Sequence, residues 1–193
     1  QLFERSLKAL SRMDVELIHG PGLTVTEEDA ESLAERFHAE RVDAIVVQYG
    51  TFALGTLIPI FADRLAAPIV LWGVPEPRLD GPKLQSNSFC GINMNAHTLM
   101  RLGRKYDYIF CGPDEAPEAL APSFRVIHCL KRLRRLRLGL VGYRVPGFYT
   151  STFDELDLRR RLGVEVHHVT MAELFDTARA VEPARRQAEA NPG

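Results

Sequence analysis

Val42-Asp43-Ala44-Ile45-Val46-Val47-Gln48-Tyr49-Gly50-Thr51-Phe52, followed by an amphipathic segment and then Pro68-Ile69-Val70-Leu71-Trp72-Gly73-Val74-Pro75-Glu76-Pro77, decides the fold of this chain. Residues 45–47 and 69–71 are short, continuous apolar runs, the pattern of strands buried on both faces. Each run ends in glycine, proline and polar or aromatic residues. In an open parallel sheet, such strand ends are where ligands bind. Asn87-Ser88-Phe89-Cys90-Gly91-Ile92-Asn93-Met94-Asn95-Ala96-His97 closes the stretch.

Toward the amino end, Leu2, Phe3, Leu7 and Leu10 repeat at helical spacing, and residues 15–20 read as a strand ending at Pro21-Gly22. An opening helix implies that a first strand lies upstream, or that the sheet edge is short. Thr26 is placed to cap a helix whose apolar stripe is Ala30, Leu33, Ala34 and Phe37. Leu57, Ile58, Phe61 and Leu65 form the next stripe, with Pro59 tolerable only in its first turn.

Toward the carboxyl end, residues 75–88 read as a loop. Asn93 or Asn95 then caps a helix through Ala96, Leu99, Met100 and Leu102 to Gly103. A strand at 108–112 and a proline- and acid-rich connector at 113–122 precede a helix built on Val126, Ile127, Leu130 and Leu133. After it come a strand at 137–141, a turn at 142–147, a helix at 153–162, a strand at 164–169 and a helix at 171–181. The proline-, alanine- and charge-rich tail, 182–193, is expected to fray.

Strand and helix alternate throughout, the α/β signature. The expected architecture is a Rossmann-like open parallel sheet with helices on both faces over residues 1–125, followed by the start of a second α/β domain over 126–193. The boundary lies near residues 121–136. Two strands are fewer than the usual sheet of about five, so the reading expects the polypeptide to continue.

A chain of 193 residues buries a sizeable core, and its 24 basic against 25 acidic side chains give a net charge of −1. That balance gives no general attraction to nucleic acid or anionic membrane. No apolar run reaches the roughly 20 residues of a membrane-spanning helix, and the amino end lacks a signal-peptide core. Cys90, Cys111 and Cys129 are odd in number and widely spaced, which fits three buried or half-buried thiols in a reducing cytoplasm rather than disulfides or a zinc site. The basic run 131–137 suits the carboxyl end of a helix, with no interleaved aromatics to suggest nucleic acid. Gly139-x-x-Gly142 is not a dinucleotide fingerprint. His167 and His168 alternate faces of a strand, so one is expected packed and one exposed. Asp154, Glu155 and Asp157 have a helix dipole as sufficient reason.

Thr51-Phe52 after a buried strand, the Pro68–Pro77 segment, Asn87-Ser88-Phe89-Cys90-Gly91 and Asn95-Ala96-His97 together resemble the N-terminal region of the L-fucose/L-arabinose isomerase superfamily. Arg101-Leu102-Gly103-Arg104-Lys105-Tyr106 and Gly139-Leu140-Val141-Gly142-Tyr143-Arg144 continue the likeness, which covers residues 16–181. The order of these pieces carries it more than any one of them. The resemblance implies a metal-dependent aldose–ketose isomerase with two Rossmann-like N-terminal domains and a C-terminal catalytic domain. There a divalent cation, commonly Mn²⁺, polarises the sugar oxygens while acidic groups move a proton through an enediol. The implied ligands belong to the C-terminal domain, so no metal is expected on this chain. The N-terminal domains serve oligomerisation, implying a cytoplasmic homo-oligomer, a trimer or hexamer, that takes a small-molecule sugar.

By that resemblance Phe52 is the aromatic of the pair lining the sugar pocket. His97 is the histidine that bonds sugar hydroxyls from the adjacent subunit. The glutamine expected three residues before it is Met94, so the polar contact is lost or passes to Asn93 or Asn95. His97 is placed near a helix amino end, where a neutral imidazole is favoured; a backbone-satisfied histidine is the simpler account. Trp72, at a strand's carboxyl end, can stack on a sugar or pack in the core. Glu76, between prolines, can reach a hydroxyl or a partner's basic group, or stand solvated. Asn87, Asn93 and Asn95 offer paired donors and acceptors suited to polyols, but asparagine is also ordinary cap and turn chemistry. The alternative from another class is a non-catalytic sugar-binding or sensing module of the same fold, and a third option is a purely structural assembly domain.

Overall fold

The computed structural model describes residues 1–76 and 86–181. Most of the loop expected at 75–88 and the tail at 182–193 lie outside the described residues. The chain divides into two compact units, Gln1–His128 and Cys129–Gly193.

The first unit is a parallel sheet in the order β1 (Ile45–Tyr49), β2 (Ile69–Gly73), β3 (Tyr106–Phe110). Ile45 pairs with Ile69 and Ile69 with Tyr106, while Gly73 pairs with Phe110. All five residues of β2 are buried, the physical reason for its unbroken apolar run. Crossover helices α3 (Ile58–Arg64) and α4 (Ser88–Arg101) lie on one face with α2 (Glu27–Ala39). Ala30, Ala34, Phe61, Ile92 and Leu99 pack there against Ile45, Tyr49, Ile69 and Leu71. The other face carries α1 (Leu2–Leu10) and α5 (Ala116–Leu133), whose Leu10, Ala116 and Leu120 cover Val70, Trp72 and Ile109. Thr26 caps α2 by accepting from the Asp29 amide at 3.1 Å, and Pro59 sits in the first turn of α3.

Several expectations change. Residues 15–20 form no strand. Among the described residues β1 has only β2 beside it, and the segment does not pair with its other edge. Its carbonyls turn elsewhere: Arg36 donates to the His19 carbonyl at 3.2 Å. Helix α4 begins at Ser88, so Asn93 and Asn95 are helix-interior residues rather than caps, and His97 is in its tenth position. The 113–122 connector is a 3-10 turn (Pro113–Glu115) running into α5, which contains Pro122. A proline there costs about 3 kcal/mol, and burial of Ala116, Leu120 and Ser123 on the same helix offsets it. Finally, Cys90 and Cys129 are exposed and only Cys111 is half-buried.

The second unit pairs β4 (Arg137–Val141) with β5 (Glu165–Val169) in parallel, Arg137 opposite Glu165 and Val141 opposite Val169. Helices α6 (Glu155–Leu162) and α7 (Met171–Ala180) accompany them. Asp154 caps α6 by accepting from the Asp157 amide at 2.9 Å, and Gly163 ends it at φ +75°, in the left-handed region that favours glycine. Thr170 and Glu173 form a reciprocal capping box on α7. His167 and His168 are both exposed, against the expectation of one packed ring, because a two-stranded sheet covers neither face fully. His168 Nε2 meets Glu155 Oε1 at 2.8 Å.

Candidate functional site

The carboxyl ends of β1 and β2 lead into two segments that pack on each other: the 50–57 connection and α4. Gly91 lets them touch. A Cβ there would meet the Ala53 amide nitrogen at 3.2 Å and the Thr51 carbonyl oxygen at 3.4 Å. Gly55 does the same one turn on, where a Cβ would lie 3.1 Å from Thr98 Oγ1. Asn95 clamps the pair: its Nδ2 donates to the Gly91 carbonyl at 2.8 Å and the Ala53 carbonyl at 3.4 Å. At 2 % exposure Asn95 joins helix to loop from inside and is removed from the surface.

Phe52 stands between the two tethered residues and is 42 % exposed. Ser88, Gly91, Ile92, Asn95 and Leu99 form the buried side of α4. At 100° per residue, Asn93 and His97 then fall on the side turned away from the core, and both are exposed. Phe89 and Met100, 50 % and 59 % exposed, flank them. Phe89 meets Phe110 of β3 edge to face at 5.3 Å, and Tyr106 and Tyr108 continue that exposed aromatic face. Phe52, Asn93 and His97 are thus each exposed, the first on the 50–57 connection and the other two on the outer side of α4.

Trp72 and Glu76 are placed differently. Trp72 is 1 % exposed, and its indole N–H donates to the Cys111 carbonyl at 3.0 Å. It has no free ring face and is a core residue. The Glu76 carboxylate accepts from the Ser86 amide at 3.0 Å and from its hydroxyl at 3.0 Å, and also from the Asn87 amide. Ser88 adds a bond from its hydroxyl to the Val74 carbonyl. Glu76 thus fixes the entry to α4, where Asn87 takes the left-handed conformation at φ +53°. Sequence reasoning missed Gly91 and the Glu76–Ser86 closure. The only available signal for the first was a glycine four residues before an asparagine in a helix.

Among the described residues no group of three or more histidine, cysteine or acidic side chains could hold a metal ion. The described residues therefore do not fit the implied divalent cation. Two clefts of about 440 and 310 Å³ lie in the second unit; neither includes any of the six candidates. No helix among the described residues is long and apolar enough to cross a membrane.

Comparison with known proteins adds what the geometry alone leaves open. The sulfoquinovose isomerase of Alkalicoccus urumqiensis is 38% identical over 145 residues, 74% of this chain and 32% of the relative. That of Priestia aryabhattai is 29% identical over 155 residues, 79% of this chain and 34% of the relative. That of Clostridium sp. (strain MSTE9) is 24% identical over 179 residues, 91% of this chain and 39% of the relative. The chain therefore spans about a third of the length of the curated relatives it matches. The model of the fucose/sulfoquinovose isomerase N-terminal domain matches residues 2–125, and the chain belongs to that family.

Proposed function

We propose that this chain is the N-terminal part of an aldose–ketose isomerase acting on a sulfoquinovose-type sugar, and that it supplies oligomer contacts and part of the sugar site. The family match and the names of the relatives support the reaction class. The observation that carries the chain's own role is the position of His97 and Asn93. Both point off the outer side of α4, flanked by exposed Phe89 and Met100. Side chains so placed serve a pocket that another protomer completes. An imidazole and a carboxamide there offer both donors and acceptors to sugar hydroxyls. Phe52 offers an apolar ring to the sugar's C–H face.

The active assembly is a cytoplasmic trimer or hexamer, and its divalent cation, Mn²⁺ or similar, is held by residues outside this chain. Trp72, Glu76 and Asn95 act one step back, through the core and the α4 clamp. The test is an assay of the full-length isomerase bearing this sequence. It should convert sulfoquinovose to the corresponding ketose, lose activity with a chelator, and regain it with Mn²⁺. No conversion of sulfoquinovose, with or without cation, refutes the proposal.

A further inference from the structure

We propose that the loop leaving the carboxyl end of β4, Gly142-Tyr143-Arg144-Val145-Pro146-Gly147-Phe148-Tyr149, recognises an anionic substituent on a sugar, with Arg144 as the charged partner. The inference rests on the sugar-isomerase reading above and adds a specificity residue to it.

Position is the first argument. The loop follows a parallel strand at its carboxyl end, the end of such sheets where ligands gather. It is anchored there: the Gly142 amide donates to the Val169 carbonyl at 3.1 Å, and Gly142 takes φ +80°. Turn bonds from Phe148 to the Val145 carbonyl at 3.2 Å and from Ser151 to the Phe148 carbonyl at 3.0 Å shape the tip, with Gly147 at φ +86°.

Composition is the second. Tyr143 is 86 % exposed, Tyr149 76 % and Phe148 59 %. Aromatic rings with a polar tip suit the mixed surface of a pyranose: C–H groups stack on the ring and hydroxyls bond the phenol.

Charge is the third. The arginines of β4, α6 and α7, namely Arg137, Arg159, Arg160, Arg161 and Arg179, each meet a carboxylate within ion-pair distance, which the described arginines of the preceding helix end do not. Arg144 meets none among the described residues; its guanidinium lies over the Tyr149 ring, 5.2 Å from the centroid. That contact holds the planar fork in place while leaving its N–H groups to an outside acceptor. A tetrahedral oxyanion such as a sulfonate accepts two of them side by side.

The experiment is a nuclear magnetic resonance titration of the full-length isomerase bearing this sequence, kept from turning over by a chelator, with sulfoquinovose (glucose with a sulfonate at C6), with glucose, and with methanesulfonate. Sulfoquinovose should shift the amides of residues 143–149, with glucose binding at least about tenfold more weakly, the scale of one charged hydrogen bond. Arg144→Gln should erase the preference between the two sugars, and Arg144→Lys should keep part of it. Equal shifts from both sugars, or a preference that survives Arg144→Gln, overturn the inference. So does methanesulfonate matching sulfoquinovose in affinity, since no sugar contact is then involved. Shifts at Asn93 and His97 without shifts in the loop would sink this inference and leave the reading above standing.

Discussion

At the scale of single residues, the first unit separates side chains that hold the fold from side chains left exposed. Trp72 is enclosed and hydrogen-bonded, so Trp72→Ala should cost about 3–5 kcal/mol in a urea melt. His97, on the open side of α4, should cost under about 0.5 kcal/mol when replaced by alanine. Tyr49 is a third case: its hydroxyl is buried without a hydrogen-bond partner among the described residues. Burial pushes its phenol above the ordinary value of 10.0. Below that value both folded and unfolded states keep the proton, and stability does not respond. Above it the unfolded chain ionises first, so stability falls as pH rises. Tyr49→Phe removes the unpaired hydroxyl and should leave the protein as stable or about 1 kcal/mol more so. It should also flatten the alkaline decline, as paired urea melts at neutral and alkaline pH will show.

At the scale of elements, caps and edges decide what the chain does locally. Glu173 accepts from the Thr170 amide at 2.7 Å and then from its hydroxyl at 2.8 Å, and those bonds hold its carboxyl below the usual range. The cap's contribution is present above the ordinary glutamate value and is lost as pH falls through the lower folded one. Following the Thr170 amide signal through an acid titration should show α7 fraying at its first turn, and Glu173→Gln should lack that titration. The open edge at β3 is guarded by Asp107, which accepts from the Tyr108 amide at 2.8 Å and from the Ser123 hydroxyl. Asp107→Val should raise the aggregation rate of the folded chain, readable by light scattering.

Much of this was legible beforehand because the signals were local. The Thr26 cap, the first-turn Pro59 and the apolar run of β2 each follow from a few neighbouring residues. Residues 15–20 misled because a strand needs a neighbour, which periodicity does not report. The start of α4 misled because asparagine suits both a cap and a buried clamp, and only the approach of residues 51–53 selects the second. Pro122 in α5 shows tertiary burial overriding a local breaker. Of the candidate residues, Phe52, Asn93 and His97 are exposed, whereas Trp72 and Asn95 are buried and Glu76 is bonded to residues 86 and 87.

At the scale of the whole molecule, the two units differ in how much they enclose. The first covers β2 on both faces, while Val164 is the only buried residue described beyond His128. Large apolar side chains such as Leu138, Leu156 and Phe175 stay exposed in the second unit. Limited proteolysis of this chain should therefore cut within residues 129–181 before it cuts the first unit, because local opening costs least where little apolar surface is buried. The chain also spans about a third of the relatives' length, and the role proposed for its outward α4 face requires a neighbouring protomer.

That claim meets its most direct test in the steady-state kinetics of His97→Ala in the full-length isomerase bearing this sequence, measured with its thermal melt. A lost hydrogen bond to the sugar should lower kcat/KM for sulfoquinovose by about tenfold, with the melting temperature unchanged. An unaltered kcat/KM would mean that the outer side of α4 faces no sugar at all.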